Sequence, residues 1–128
     1  MIRRERVFFF AILLFALAVR VWDLNARSLW FDEAGEYWVS TAPFAHLAES
    51  ARTGTGDPPL YEFLLHFWMQ AGSSEAWLRF LSVIASVAGV AGVMVLTRMV
   101  SASSMAAMCA GVALAVLPAD VRYAQEVG

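Results

Sequence analysis

The sequence predicts an all-α integral membrane protein, and three observations support this class. Of the 128 residues, 60 % are hydrophobic, and the mean hydropathy is +0.62, which is more apolar than an ordinary soluble domain. Three apolar stretches approach the ~20 residues that a membrane-spanning helix needs. The polar part between the first two stretches holds eight acidic residues and only two basic ones, as is typical of an external loop under the positive-inside rule.

The first predicted span covers residues 7–24. Val7–Val19 is an uninterrupted apolar run that follows three arginines within the first six residues. The run reaches spanning length only if Arg20 extends its charge to the interface and Trp22 lies in the aromatic belt. A basic start, a short apolar run and the triplet Ala16-Leu-Ala18 also fit a secretory signal peptide. Both interpretations place the N-terminus in the cytoplasm.

Two further spans are predicted at residues 78–98 and 102–118. Arginines bound the first of these, and Pro118 ends the second. Small residues along the first would let neighbouring helices approach closely: Ser82, Ser86, Gly89 and Gly92. With three crossings, the loop 25–77 and the segment after Pro118 face the same external compartment. The predicted location is therefore the plasma membrane, as a multi-pass protein with its polar loop outside.

Within the external loop the sequence predicts two juxtamembrane helices. The first, Phe31–Ala42, ends at Pro43, and the second, Leu60–Ala71, follows a Pro-Pro pair that favours a helix start. The Gly-rich segment Arg52–Asp57 reads as a break between them. The apolar residues of the second helix recur at helical spacing, so we expect that face to lie in the membrane interface.

Three carboxylates stand together at the start of this loop. Asp32, Glu33 and Glu36 directly follow a Trp-Phe pair at the predicted membrane boundary. Because a carboxylate costs several kcal/mol in hydrocarbon, their placement indicates a water-filled cleft, cation partners or catalysis, unless the loop is simply solvated. The acid-rich loop also allows a divalent cation, and Glu62 with His66 could share a metal or form a solvated face. The net charge of −2 gives no reason to expect nucleic acid.

Four sequence segments, in order, resemble one family of membrane enzymes. They are Ser28-Leu-Trp-Phe-Asp-Glu-Ala, Asp57-Pro-Pro-Leu-Tyr with Leu64-Leu-His-Phe-Trp68, Ser74-Glu-Ala-Trp-Leu-Arg-Phe-Leu-Ser82, and Pro118 with Tyr123-Ala-Gln-Glu126. Together they are similar to the N-terminal part of GT-C glycosyltransferases of the protein-mannosyltransferase and aminoarabinose-transferase type. The resemblance covers roughly residues 20 to 126.

The resemblance implies an inverting enzyme that transfers a sugar from a polyprenyl-phosphate donor to an acceptor hydroxyl at the outer membrane face. It implies Asp32 as general base, Glu33 as a supporting carboxylate and Glu126 as the second acidic position. Arg79 would meet a lipid phosphate. The remaining substrate-binding residues expected from the matching segments are Asp57, Tyr61 and His66. Asp57 stands where many relatives have His, so the zinc of some relatives does not carry over, and the metal stays unknown.

Relatives of this type are several times longer. The resemblance therefore implies that this chain is an N-terminal portion, completed by the remaining part of a split or longer enzyme and inactive alone. Two alternatives stay open. One is a non-catalytic small membrane protein or remnant that packs against a larger partner through its small residues. The other is part of a transporter, although the spans hold few ionisable groups.

Overall fold

The computed structural model describes residues 3–22, 24, 31–54 and 60–127. These residues fold only into helices and the turns between them, which confirms the all-α prediction. The helices are α1 Arg3–Val21, α2 Phe31–Ser40, α3 Phe44–Thr53, α4 Leu60–Trp68, α5 Glu75–Ser101, α6 Ser104–Ala115 and α7 Pro118–Ala124.

A bundle of α1, α5, α6 and α7 forms the larger part of the structure. Its buried centre consists of Ala16, Val90, Met94 and Ala115, with partly buried side chains from α1 and α6 around it. The helices run up, down and up, so Glu5 near the start of α1 bonds Ser104 at the start of α6. The opposite ends of the same helices therefore gather at the other end of the bundle, where the polar residues lie.

Serine caps explain where the two central helices begin. The Ser74 side chain accepts a hydrogen bond of 3.2 Å from the Trp77 N–H at the start of α5. Ser103 accepts one of the same length from the Ala106 N–H at the start of α6. Between them, Ala102 adopts a left-handed φ of 53° that ends α5. The two-residue connection is short enough to make α5 and α6 antiparallel neighbours.

Close packing of α5 on α6 depends on Gly111. A Cβ atom at this position would lie 2.5 Å from both Cγ and Sδ of Met94, whose side chain is buried. The small-residue seam predicted on α5 is only half used, because Ser82 and Ser86 face the bundle whereas Gly89 and Gly92 have no neighbouring atom within 4 Å of an added Cβ. The glycine that lets α5 and α6 approach closely is therefore Gly111 on α6, which was not among the small residues predicted to serve this purpose on α5.

Arg20 is buried rather than extended to the interface, contrary to the sequence prediction. Its side chain is 0 % exposed. The guanidinium donates to the carbonyls of Ala115 (3.1 Å) and Leu114 (3.3 Å) and forms an ion pair with Asp120. Pro118 has no N–H to donate to the carbonyl four residues earlier, so the arginine supplies donors at the end of α6, where a cation is also favoured by the helix dipole.

The apolar part of the third predicted span forms α6, which ends at Ala115, before Pro118 as expected. The proline then begins a further helix, α7, and the axes of α6 and α7 differ by 61°. Proline is favoured in the first turn of a helix because its missing N–H is not needed there. The bend turns α7 across the end of the bundle, where it packs on α1 and α5.

The polar loop contains three helices where two were predicted. The predicted helices Phe31–Ala42 and Leu60–Ala71 appear as α2 and α4, which begin at the predicted residues and end two and three residues early. The missed helix is α3, and Arg52, which was assigned to the break, lies in it. Pro43 was interpreted as a terminator, yet it is the N-cap of α3, and its carbonyl accepts from His46 at 2.8 Å. Gly54 ends this helix at a left-handed φ of 66°.

These three short helices form a layer that joins the bundle through α4, which packs on α2, α3 and α5. At the turn into α5, Trp68 and Trp77 stack with ring centres 4.5 Å apart and planes 8° from parallel. Each indole N–H donates to the backbone carbonyl of the other residue, at 2.8 and 3.1 Å. We call this pair the tryptophan clasp, and it fixes α4 against the start of α5.

One described helix, α5, is long and apolar enough to cross a membrane, and α6 with α7 would count as a second only if the bent pair were one span. The helix α1 carries charged residues at both ends of its apolar run. In the most apolar part of α5 only 22 % of residues are buried inside the protein. The largest exposed side chains at its far end include Leu96, Met99 and Val100.

Candidate functional site

An open acidic cleft of about 570 Å³ lies where α2 meets α7 and the segment after it. The chain brings these parts together although they are some ninety residues apart, because α7 turns across the same end of the bundle that α2 covers. The residues that line the cleft are Asp32, Glu33, Glu36, Ala119, Arg122, Tyr123, Glu126 and Val127. All three carboxylates that the resemblance assigned to catalysis, Asp32, Glu33 and Glu126, therefore line one cavity.

A buried ion pair between Glu33 and Arg79 lies beside the cleft, and Glu33 is the member of the pair that lines the cavity. Glu33 Oε1 accepts from Arg79 Nε at 2.8 Å, and Glu33 Oε2 accepts from Arg79 Nη2 at 2.7 Å. The two residues are 1 % and 3 % exposed, so this is a bidentate, charge-assisted contact shielded from water. Arg79 Nη1 also donates to the Leu24 carbonyl at 3.1 Å. The pair joins α2 to α5 and neutralises the charge of Glu33.

Glu33 has a second partner in the chain after α7. The backbone N–H of Val127 donates to Glu33 Oε1 at 3.0 Å, and the Val127 side chain packs into a buried cluster with Leu65 and Leu78. These contacts fix the segment that carries Glu126, the preceding residue. Glu33 therefore acts on the site by holding Glu126 at the cleft, and this contact was not foreseen when Glu33 was assigned a supporting role.

Asp32 differs from Glu33 in its exposure to solvent and in its hydrogen bonding. Its side chain is exposed at the cleft, and among the described residues none forms a hydrogen bond or ion pair with it. Helical geometry turns Asp32 and its neighbour Glu33 about 100° apart, so one faces the cavity and the other the protein interior. An exposed, uncommitted carboxylate can accept a proton from a bound hydroxyl group.

Glu126 and Arg122 line the cleft on the side of α7, whereas Asp32 lines it from α2. Their closest contact, Arg122 Nε to Glu126 Oε1, is 3.4 Å, and the side chains are 74 % and 23 % exposed. Such a contact between residues four apart on the surface is weak. Within the part of the chain that the structure describes, Arg122 is the cation that lines the cleft, together with the carboxylates of Asp32, Glu36 and Glu126.

Two predicted substrate-binding residues, Tyr61 and His66, lie outside the cleft. The Tyr61 hydroxyl lies 2.9 Å from Ser82 Oγ and links α4 to α5. His66 Nδ1 donates to the Ser40 carbonyl at 2.8 Å, which ties α4 to the end of α2 and requires the proton on Nδ1, since a carbonyl only accepts. Neither residue lines the acidic cleft. Asp57 lies outside the described residues.

Arg79 also differs from its expected role. The resemblance implies contact with a lipid phosphate, but the guanidinium is buried, bound to Glu33 and absent from the cleft lining. Contact with a phosphate would require this ion pair to open. In the structure Arg79 instead holds α2 in place, which is how a buried arginine with a fixed carboxylate partner is commonly used.

Sequence reasoning missed Arg122 and Arg20 as partners in this region. Arg122 follows Asp120 on the short helix α7, and only the knowledge that α7 crosses the end of the bundle brings it to Asp32. Gln125 Nε2 donates to the Trp22 carbonyl at 2.8 Å and to the Arg20 carbonyl at 3.2 Å, which fixes the end of α7 to α1. The one signal available from sequence was the position of Arg20 directly after an apolar run, where a charged side chain needs hydrogen-bond acceptors if it is buried.

A dedicated metal centre is not formed by the residues described here, because no three His, Cys, Asp or Glu side chains in these ranges are placed to hold one ion. No family model, curated protein or solved structure matches this chain. Functional inference therefore depends on the cleft itself and on the motifs in the sequence.

Proposed function

We propose that the chain is the N-terminal part of a GT-C type membrane glycosyltransferase that takes its sugar from a polyprenyl-phosphate donor. The observation that carries the proposal is the cleft that joins Asp32 and Glu126, from opposite ends of the chain, above an apolar bundle. Donor lipid and polar acceptor can meet only at such a boundary. The proposed location is the outer face of the plasma membrane.

The exposure of α5 supports a membrane environment. A core helix of a soluble protein is mostly buried, whereas only 22 % of the most apolar part of α5 is buried. Apolar side chains on α1, including Phe8, Phe10 and Leu14, are each more than half exposed. These surfaces are suited to lipid contact. The proposed topology has α1, α5 and the bent pair α6–α7 crossing in turn, with α2, α3 and α4 in the interface.

In the proposed reaction Asp32 acts as general base. Its carboxylate accepts the proton of the acceptor hydroxyl while the hydroxyl oxygen forms a bond to the anomeric carbon. The bond from that carbon to the phosphate oxygen breaks on the opposite face, so the configuration is inverted. A positioned base contributes about 10²- to 10⁴-fold to such a step. Glu126 lies at the same cavity, and Glu33 keeps it there.

The test is Asp32→Asn in the full-length gene product, assayed in membranes with labelled polyprenyl-phosphate sugars. We expect transfer to fall by about 10²-fold or more with expression and membrane insertion unchanged. Glu49→Gln is the matched control, because Glu49 is an exposed carboxylate on α3 outside the cleft. If Asp32→Asn retains transfer within a few-fold of the unsubstituted enzyme, Asp32 is not the base.

Sidedness is tested separately by thiol labelling. After Cys109 is replaced by Ala, a cysteine is introduced at Gly35, where an added side chain meets no atom within 4 Å, or at Tyr123, which is 68 % exposed. An impermeant thiol reagent added outside should label both. Labelling at one position only would refute the proposed topology, whatever the outcome of the transfer assay.

A second candidate is a non-catalytic membrane protein that packs against a larger partner. The exposed Gly89 and Gly92 on α5 favour it, because they leave a surface on which another helix could approach closely. Under this function Gly92→Leu would abolish assembly on native gels, and Asp32→Asn would have no effect. Under the glycosyltransferase function Asp32→Asn has the larger effect on activity.

A further inference from the structure

The proposed reaction needs a cation at the leaving phosphate, and the buried Arg79 is not at the cleft surface. As the bond to the anomeric carbon breaks, its electron pair passes to the phosphate oxygen, and the lipid phosphate gains a negative charge. Arginine is suited to that task because its planar guanidinium donates two parallel hydrogen bonds to phosphate oxygens and stays charged. The donors of Arg79 are directed to Glu33 and Leu24 instead.

Arg122 could supply the cation that the leaving phosphate needs. It lies on α7 and lines the cleft together with Asp32 on α2. Its side chain is 74 % exposed, and its 3.4 Å contact with Glu126 is at the long limit of a hydrogen bond. A phosphate could therefore replace Glu126 at Arg122 without breaking a buried contact, whereas at Arg79 it would have to displace Glu33.

The charge around Arg122 restricts which anion can bind. Asp32, Glu36 and Glu126 line the same cavity and repel free anions. A small anion without other contacts would gain little there. An anion anchored by a lipid chain reaches the site at high local concentration, because α1 ends in exposed apolar side chains at Val21 and Trp22, and the Trp22 carbonyl accepts a hydrogen bond from Gln125, next to Glu126 of the cleft.

We propose that Arg122 binds the phosphate of a lipid-linked donor, with Asp32 positioned to deprotonate the acceptor. This inference rests on the proposed glycosyltransferase function, and it assigns the phosphate-binding role to α7 rather than to α5. The proton passes to the Asp32 carboxylate and the electron pair of the broken bond passes to the phosphate, whose added charge Arg122 stabilises. Glu126 exchanges its contact with Arg122 for solvent when the donor binds.

The experiment measures binding of farnesyl phosphate to the full chain in detergent micelles, by tryptophan fluorescence or calorimetry. Farnesol and inorganic phosphate are the two comparison ligands, because one lacks the charge and the other lacks the lipid chain. The variants are Arg122→Gln, Arg122→Lys and, as control, Arg52→Gln. Arg52 forms a comparable exposed 3.4 Å pair with Glu49 on α3, outside the cleft.

We expect farnesyl phosphate to bind the unsubstituted chain and both comparison ligands to bind much more weakly. Arg122→Gln should weaken farnesyl phosphate by about 10- to 100-fold, as loss of a charge-assisted contact does. Arg122→Lys should recover part of that loss, and Arg52→Gln should have no effect. Unchanged helicity by circular dichroism would show that Arg122→Gln is folded. If Arg122→Gln does not fold, the affinity of Arg122→Lys for farnesyl phosphate tests the inference instead.

Three results would overturn the inference. They are equal binding of farnesyl phosphate by Arg122→Gln and the unsubstituted chain, equal binding of farnesol, or inorganic phosphate binding as tightly as the lipid. These outcomes are distinguishable from failure of the proposed function. If the full-length protein transfers sugar and Arg122→Gln has an unchanged KM for the donor, the glycosyltransferase proposal stands and the role of Arg122 is refuted.

Discussion

Removing the Glu33 carboxylate should destabilise the whole structure, since the ion pair with Arg79 links α2, α5 and the segment after α7. Glu33→Ala leaves a guanidinium that is 3 % exposed without its carboxylate and removes the acceptor of the Val127 N–H. Breaking a buried pair by removing one partner costs about 3–5 kcal/mol. We expect a loss of that size in the free energy of unfolding.

The assay is SDS-titration unfolding in mixed micelles, followed by tryptophan fluorescence. Glu49→Ala is the control, because its pair with Arg52 is exposed and should be worth about 0–1 kcal/mol. The double variant with Leu at both Glu33 and Arg79 should recover at least half of the loss, since it leaves no unpaired buried charge. Hydrogen exchange at the Val127 amide should accelerate in Glu33→Gln.

Two results would refute this reasoning. A loss in Glu33→Ala no larger than in Glu49→Ala would mean that the ion pair is not a principal link between the two layers. If the double variant loses as much stability as Glu33→Leu and Arg79→Leu together, the two side chains are not energetically coupled.

The other predictions concern packing within the bundle and between the layers, and each is checked by the same unfolding assay. Gly111→Ala should lower the free energy of unfolding by about 1–3 kcal/mol, because the added Cβ would lie 2.5 Å from the Met94 side chain. Gly92→Ala is the control and should be neutral or slightly stabilising. Equal effects of the two substitutions would contradict this prediction. Ser40→Ala should stabilise by about 1 kcal/mol, because among the described residues its buried hydroxyl has no hydrogen-bond partner, and any destabilisation would count against it. Arg20→Met should lower the free energy of unfolding by about 3–5 kcal/mol. Arg20→Lys should retain only part of that stability, because lysine lacks the planar guanidinium with its five donors. Full stability in Arg20→Lys would refute the role of the guanidinium geometry at Asp120.

The helical class and the central helix were predictable because they depend on local pattern. A long apolar run with a serine cap ahead of it and no internal proline favours one helix, and α5 follows from that alone. The start of α2 at Phe31 also agrees with the prediction. The helices α2 and α6 end before Pro43 and Pro118, as predicted. The prediction missed the helices α3 and α7 that begin at these prolines, because proline is also favoured at a helix start.

The roles of the arginines could not be predicted in the same way. Whether Arg20 extends to an interface or turns inward depends on acceptors more than sixty residues away, at Ser86 and Asp120. Likewise, the pairing of Arg79 with Glu33 depends on how α2 docks on α5. The assembly of Asp32 and Glu126 at one end followed from counting crossings, but the bend at Pro118 that places Arg122 beside them did not.

The tryptophan clasp couples the position of α4 to that of the start of α5. Two stacked indoles with reciprocal hydrogen bonds oppose a movement of α4 that the start of α5 does not share. Because α4 also packs on α2, any tilt of α5 is transmitted to the helix that carries Asp32. In a bilayer, helix tilt follows hydrocarbon thickness, so the width of the acidic cleft would respond to the thickness of the surrounding lipid.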